Sequence, residues 1–272
     1  MKLNSENKVK KFTLALIISC FATASAHAGG IGDNSYTDSD WNTSMYNWDN
    51  DYLHGQDIKW IKNNGDKSIQ FTLEGGKPGI RDDDRPHPRG AKFRERNELH
   101  SDYFNRDDHI IAFKFNMVKG FNGRRETFFQ IHTWNDYCAK KQGQTKVYPT
   151  LMLMTHNGRV LVITKSTKEN NRRSITKTWL PFTKDQIDNK WHDITITATH
   201  AYDNYMKYTL QSNSLGINYK LPASYISPCG KQHIKFGIYR PSFVKKINGK
   251  LTTDGVNETS VIQFDDVAIV KP

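Results

Sequence analysis

Cysteine, long apolar runs and helical periodicity are all scarce in this 272-residue sequence, and each scarcity excludes a class of protein. Three Cys cannot hold together a chain of this length, so a small disulfide-stapled fold is excluded. After Lys59 almost no stretch has a helical period, which disfavours helical folds. Beyond the N-terminus no run is apolar enough to cross a bilayer, so we expect no membrane span.

The signatures of several catalytic classes are also missing. The sequence has no Walker A loop, no G-x-G-x-x-G after a strand, no H-E-x-x-H and no G-x-S-x-G. We therefore expect no required cofactor and no metal in a catalytic site. The carboxylates of Asp82, Asp83 and Asp84 leave open a structural Ca²⁺, which prefers clustered oxygen ligands.

The first residues predict a targeting signal. Basic residues precede an apolar run at 12–24, and Ala26-His27-Ala28 then offers the small residues that a signal peptidase accepts. We expect a signal peptide at 1–28, a mature start near Gly29, and a secreted or periplasmic product. A lipoprotein signal ending at Cys20 is the less favoured alternative, because cleavage there leaves apolar residues on the mature chain.

The chain is strongly basic. It has 39 Lys and Arg against 28 Asp and Glu, and removing residues 1–28 lowers the formal net charge from +11 to +8. An anionic partner suits this charge, and nucleic acid, acidic polysaccharide and an anionic membrane surface are all consistent with it. Nucleic acid is disfavoured because stacking aromatics are not interleaved with the basic residues.

Short, β-rich segments separated by turn residues follow one another along the chain. Candidate strands are 68–74, 109–118, 127–133, 150–155, 160–165, 191–199, 205–211, 233–239 and 261–270, with a hairpin turn at Asn157-Gly158. The pattern predicts an all-β fold, a β-jelly roll or concanavalin A-like sandwich of two antiparallel sheets. We expect one domain over residues 29–272, with residues 29–58 wrapped over the sandwich.

Three segments carry polar side chains at alternate positions, which a strand presents on one face. In the first, Arg94, Arg96, Glu98 and His100 alternate; in the second, Gln130 and His132; in the third, Lys235 and Tyr239 flank Gly237, and Arg240 follows. If the three strands share a sheet, their polar groups converge.

Such a set suits β-elimination on a uronate. The proton at C5 can leave only when cationic or hydrogen-bonding groups neutralise the neighbouring carboxylate. A base such as His or Tyr then takes this proton, and Tyr can return one to the leaving oxygen at C4.

The same segments resemble a known group. Arg96-Asn97-Glu98-Leu99, Gln130-Ile131-His132 and the stretch from Lys235 to Tyr239 are similar to the R-x-E-L, Q-I-H and K-x-G-x-Y motifs of jelly-roll polysaccharide lyases. That group includes family 7 alginate lyases, family 20 glucuronan lyases and heparin lyase I enzymes. The resemblance implies an enzyme acting on an anionic polysaccharide, and we expect a monomer.

The resemblance also implies roles for the residues. Arg96 and Gln130 would hold the substrate carboxylate, and Glu98 would orient Arg96. His132 would be a base or a carboxylate ligand, and Tyr239 would be the acid or both acid and base. Lys235, His100, Arg94 and Arg240 would line the substrate cleft. His100 stands where alginate lyases usually carry Arg, and Arg240 where they usually carry another polar residue. With Trp191-His192-Asp193 and Phe264-Asp265-Asp266-Val267, these departures favour a glucuronan-like or glycosaminoglycan-like substrate.

Two Cys remain after signal cleavage, Cys138 and Cys229. In an oxidising compartment they are a candidate disulfide, which would tie together the loops beside His132 and Tyr239.

Other functions stay open at this point. An alginate lyase of the same fold and a non-catalytic, concanavalin-like glycan-binding protein both suit the pattern. A glycoside hydrolase needs two opposed carboxylates, and only Glu98 is a natural candidate.

Overall fold

Most of the computed structural model consists of β-strands. It describes residues 58–63, 66–74, 93–101, 107–122, 125–134, 149–167, 173–201, 204–226, 231–242, 244–247, 250–253 and 258–270. The predicted signal peptide, the segment at 29–57 and Asp82 to Asp84 lie outside these residues. No helix in the described ranges is both long and apolar enough to pass through a bilayer.

Seven strands form the first sheet, in the order β1-β2-β15-β4-β9-β10-β11. Their bounds are β1 Ile58–Asn63, β2 Asp66–Leu73, β4 His109–Lys119, β9 His192–His200, β10 Tyr205–Ser212, β11 Ile217–Tyr225 and β15 Ser260–Val270. All neighbours in this sheet are antiparallel.

Six strands form the second sheet, in the order β3-β12-β5-β6-β7-β8, again with antiparallel neighbours. Their bounds are β3 Phe93–His100, β5 Glu126–Trp134, β6 Pro149–His156, β7 Arg159–Thr167, β8 Arg173–Thr183 and β12 Lys231–Ser242. A short helix α1, Lys184–Ile187, and a two-stranded ribbon of β13, Val244–Ile247, and β14, Lys250–Thr253, complete the described elements.

The chain passes repeatedly between the two sheets, as a jelly roll requires. The predicted all-β sandwich of two antiparallel sheets is therefore confirmed. The predicted hairpin at Asn157-Gly158 joins β6 to β7, and both residues have positive φ angles, 50° and 71°, which a two-residue turn of this type needs.

Aromatic rings fill the space between the sheets beneath the candidate site. The Phe113 ring of β4 stacks on Phe129 of β5 at 4.6 Å between centroids, and Phe236 of β12 meets Phe71 of β2 at 5.6 Å. All four are at most 2% exposed, and burying a Phe side chain contributes about 1.5 to 3 kcal/mol. Phe129 and Phe236 thus fix β5 and β12 on the core, with their alternate residues facing outward.

A buried polar network also ties the sheets together. Tyr208 of β10 donates its hydroxyl to Thr150 Oγ1 of β6 at 3.0 Å and accepts from Gln232 Nε2 of β12 at 3.3 Å. Thr150 in turn donates to the Ile131 carbonyl at 3.2 Å, next to His132. Burial raises the pKa of Tyr208 to about 12, so this phenol stays neutral and is a structural group.

Candidate functional site

The strand register of the six-stranded sheet brings the three predicted segments together. β12 lies between β3 and β5, with Lys235 opposite Gln130 and Tyr239 opposite Thr127. Phe236 and Ile238 face the core, so Lys235 and Tyr239 face outward. We call five of the described polar residues of this side the outer-face cluster: Glu98, Gln130, His132, Lys235 and Tyr239.

A short hydrogen bond joins two strands of the cluster. Gln130 Nε2 of β5 donates to Glu98 Oε1 of β3 at 2.5 Å, across the intervening β12. A carboxylate only accepts, so this contact fixes which end of the Gln130 amide faces Glu98. The second hydrogen of the same NH₂ group remains as a donor. Glu98 and Gln130 are 7% and 5% exposed, so the pair forms a recessed polar spot.

The backbone geometry at position 237 requires the glycine that lies between Lys235 and Tyr239. Its φ is +130°, and a Cβ at this position would lie 2.3 Å from the Asn97 carbonyl oxygen on β3. The register of β12 against β5 shifts here. Between the pairs Phe236–Phe129 and Tyr239–Thr127, β12 contains one more residue than β5, which is a β-bulge. Only glycine fits this bulge without displacing β3.

His132 has a defined ring orientation. Its Nδ1 lies 2.9 Å from the Thr133 carbonyl oxygen, which can only accept, so Nδ1 carries the hydrogen. In the neutral ring Nε2 then holds the lone pair, which is the form a general base needs. Its neighbour across the strands is His233, with the two imidazoles stacked at 5.2 Å between centroids.

His233 was missed by the sequence analysis, although a signal for it exists. It precedes Lys235 by two residues, so the same alternation that selected Lys235 and Tyr239 also places His233 on the outer face. Its ring is 2% exposed and packs against His132. His233 therefore supports the orientation of His132.

His132 and Tyr239 lie at opposite ends of the outer-face cluster. His233, opposite His132, is six residues from Tyr239, which is about 20 Å along a strand. Gln130 lies between them, two residues from His132 on β5. This span between backbone positions is wider than one sugar, so the His132 and Tyr239 side chains reach the same glycosidic bond only by leaning toward Gln130 from either side.

The backbone register also places three predicted residues of β3. Arg96 is opposite Tyr239, His100 is opposite Lys235, and Arg94 is opposite Pro241. Their strand positions agree with the predicted convergence, while their side chains lie outside the described part of the structure.

Arg240 does not join the cluster. Predicted to bind substrate, it instead faces inward and is 2% exposed, because alternation from the outward Tyr239 turns the next side chain to the core. Its Nη1 donates to Glu126 Oε1 at 3.3 Å and to the Glu258 carbonyl at 2.8 Å. This placement corrects the prediction: Arg240 is half of a buried ion pair.

The other predicted residues lie in other parts of the chain. Cys138 and Cys229 lie outside the described residues, as does the Asp82 to Asp84 loop. Within the described ranges no three His, Cys, Asp or Glu side chains are grouped to hold a metal ion.

Trp191-His192-Asp193, used to favour one substrate class, lies at β9 of the other sheet. The His192 ring is buried against Phe115, with Nε2 3.1 Å from the Ile187 carbonyl oxygen, and burial lowers its pKa. Burial would raise the pKa of Asp193, but hydrogen bonds from the Ser214 hydroxyl and the Asn213 and Ser214 amides outweigh it and lower the pKa. Asp193 therefore fixes the turn at 213–214, and His192 packs against the core.

No family model and no curated protein sequence matches this chain. Solved structures do match. An endo-β-1,4-glucuronan lyase from the fungus Trichoderma reesei is 14% identical with a TM-score of 0.55, over 89% of this chain and 94% of that one. An alginate lyase from Chlorella virus is 13% identical with a TM-score of 0.51, over 80% and 90%. The chain therefore has the β-jelly-roll fold of these polysaccharide lyases.

Proposed function

We propose that this protein is a polysaccharide lyase that cleaves an acidic, uronate-containing polysaccharide by β-elimination at the outer-face cluster. The observation that carries the proposal is the Glu98–Gln130 hydrogen bond with Lys235, Tyr239 and His132 on the same face. The shared fold with a glucuronan lyase and an alginate lyase supports it. The proposed reaction requires no cofactor.

The first requirement is to neutralise the substrate carboxylate. The Gln130 amide is held by Glu98 and keeps one N–H to donate, while Lys235 supplies a positive charge two strand positions from Gly237. Arg96, opposite Tyr239, adds a guanidinium in this proposal. Donors fixed before the substrate arrives stabilise the charge that builds up when C5 loses its proton.

The second requirement is proton transfer. His132 Nε2 takes the proton from C5, the C5–H electrons form the C4=C5 double bond, and the C4–O bond breaks. Tyr239 gives its hydroxyl proton to the departing oxygen. The products are a new saturated end and an unsaturated uronate end, and His132 and Tyr239 recover their starting protonation through solvent.

A hydrolase reaction fits this face less well. Hydrolysis of a glycosidic bond needs two carboxylates on opposite sides of the bond. Among the described side chains of the outer face, Glu98 is the one carboxylate, and it is committed to Gln130. Glu126, the other acid on these strands whose side chain the structure describes, is turned to the core and pairs with Arg240.

We propose a glucuronan-like or glycosaminoglycan-like substrate over alginate, following the departures at His100 and Arg240 from the alginate-lyase pattern. Of the two neighbours above, the one named as a glucuronan lyase has the higher TM-score. A panel of glucuronan, heparin-like polymers and alginate tests this choice. We expect absorbance between about 230 and 235 nm, from the unsaturated ends that proton abstraction creates, to rise fastest on glucuronan or the heparin-like polymers.

The panel also separates the rival functions. Fastest cleavage of alginate overturns the substrate choice and leaves the lyase proposal standing. Binding to a polymer with no absorbance rise on any of them identifies a non-catalytic glycan-binding protein instead.

We further propose that the protein is exported. The evidence is the basic, apolar and Ala26-His27-Ala28 sequence of the first 28 residues. Amino-terminal sequencing of protein from the periplasm or medium is expected to begin near Gly29. Recovery only from the cytoplasm with residues 1–28 intact would contradict export, and a lipid-modified Cys20 would select the lipoprotein alternative.

A further inference from the structure

An exposed aromatic residue stands at the far edge of the sheet that carries the outer-face cluster. Trp179 belongs to β8, the last strand of the six-stranded sheet, and its side chain is 37% exposed. Together with Ile175 of the same strand, it is one of two large hydrophobic side chains exposed to this degree among the described residues. One exposed ring alone does not mark a binding site, but the groups around Trp179 are those that bind an acidic sugar.

A cation is held over the Trp179 ring. The Arg159 guanidinium carbon lies 4.4 Å from the ring centroid, a cation–π contact, and the His156 ring lies 6.0 Å away. Arg159 and His156 flank the tight Asn157-Gly158 turn, which fixes them relative to β8. The guanidinium therefore covers one face of a ring that remains 37% exposed.

The surrounding strands are basic and contain no acid. β6, β7 and β8 together contain four Lys or Arg and no Asp or Glu, namely Arg159, Lys165, Arg173 and Lys177. A planar guanidinium binds a carboxylate through two parallel hydrogen bonds, and a Trp face stacks on an apolar surface. A sugar acid offers both a carboxylate and an apolar ring face, whereas a neutral sugar offers only the second.

The register aligns Trp179 with the reacting end of the cluster. Trp179 is opposite Leu161, Leu161 is opposite Met154, Met154 is opposite Thr127, and Thr127 is opposite Tyr239. The row crosses four strand intervals, or about 19 Å. Thr127, Met154 and Leu161 of this row are at most 3% exposed, so a polysaccharide that runs from Tyr239 to Trp179 passes above them and covers the distance with several sugar residues.

We propose that Trp179 and Arg159 form a distal subsite that binds an acidic sugar residue several units from the cleaved bond. This proposal rests on the proposed function for the identity of the ligand. It extends that function by making affinity depend on the length of the substrate.

Binding measured without turnover tests the subsite separately from the lyase reaction. Trp179→Ala and Arg159→Ala are made in a Tyr239→Phe background, so that the polymer is not cut, and titrated with glucuronan, a heparin-like polymer and alginate. We expect each substitution to weaken binding of the preferred polymer by about tenfold, which corresponds to about 1.4 kcal/mol. Lys207→Ala, which removes an exposed charge on β10 of the other sheet, is the matched control and should change affinity less than twofold.

Turnover gives a second readout in the otherwise wild-type enzyme. Trp179→Ala should raise KM for the polymer and leave kcat/KM for a tetrasaccharide within about twofold, because the short substrate does not reach β8. Polymer affinity equal to that of the parent in Trp179→Ala, or no binding of any uronate polymer by the parent protein, overturns the subsite. Intact, Trp179-dependent binding with no cleavage by the wild-type enzyme keeps the subsite and rejects the lyase reaction.

Discussion

Replacing Tyr239 by Phe, or His132 by Ala, is expected to lower kcat for uronate cleavage by at least about a hundredfold, because proton transfer by a placed side chain typically contributes about 10² to 10⁴ in rate. Tyr239→Phe removes only the hydroxyl, and His132→Ala removes the ring whose Nδ1 faces the Thr133 carbonyl. Both are partly exposed on the outer face, so the fold should survive. Initial rates of absorbance increase at saturating polymer give kcat directly.

The controls separate a chemical effect from a structural one. Polymer affinity of Tyr239→Phe should remain within about threefold of wild type, because the ring and the neighbouring donors are unchanged. Lys119→Ala, an exposed charge at the end of β4 on the other sheet, should keep wild-type kcat. Wild-type kcat in Tyr239→Phe would remove Tyr239 from the reaction, and wild-type kcat in His132→Ala would remove His132 as the base.

Arg240→Met is expected to destabilise the protein by about 3 to 5 kcal/mol, because it leaves the Glu126 carboxylate buried without its counter-charge. Glu126 is fully buried, and Arg240 also donates to the Ser260 hydroxyl at 3.3 Å and to the Glu258 carbonyl. The free energy of unfolding from urea titration measures the effect. If Arg240→Met does not fold, Arg240→Lys, which keeps the charge, provides a milder test. Its free energy of unfolding should be lower than that of the wild type by less than about 3 kcal/mol.

An exposed ion pair in the same protein serves as the matched comparison. Lys114 of β4 pairs with Asp266 of β15, but their side chains are 49% and 36% exposed, so Lys114→Met should cost at most about 1 kcal/mol. Arg240→Met/Glu126→Gln should recover part of the loss, since the uncompensated charge is gone. Equal stabilities of Arg240→Met and Lys114→Met would show that the buried pair contributes no more than a surface pair.

Alternation along strands explains which parts of the site could be read from the sequence. Gln130 and His132 alternate with the buried Phe129 and Ile131, so period two alone gives their shared face. The same rule, applied strictly, sends Arg240 inward and His233 outward, and the sequence analysis went wrong where it departed from the rule. The partner of Arg240, Glu126, is 114 residues away, so no local pattern could have identified the pair.

Two long strands escaped prediction for a physical reason. β8 contains Pro181 and β11 contains Pro222, and a proline within a strand usually indicates a turn. Both strands lie at the edge of their sheets, where a missing N–H can face away from the ladder. Edge position is a property of the whole sheet, so the sequence could not reveal it, and Trp179 was missed with β8.

The products of cleavage test the central proposal most directly. Mass spectrometry of oligosaccharides released from the preferred uronate polymer should show unsaturated uronate ends, each product lighter by one water than the corresponding hydrolysis product. These products should disappear when Tyr239→Phe replaces the wild-type enzyme. Saturated products alone, or intact polymer after prolonged incubation with folded wild-type protein, would contradict β-elimination at this face.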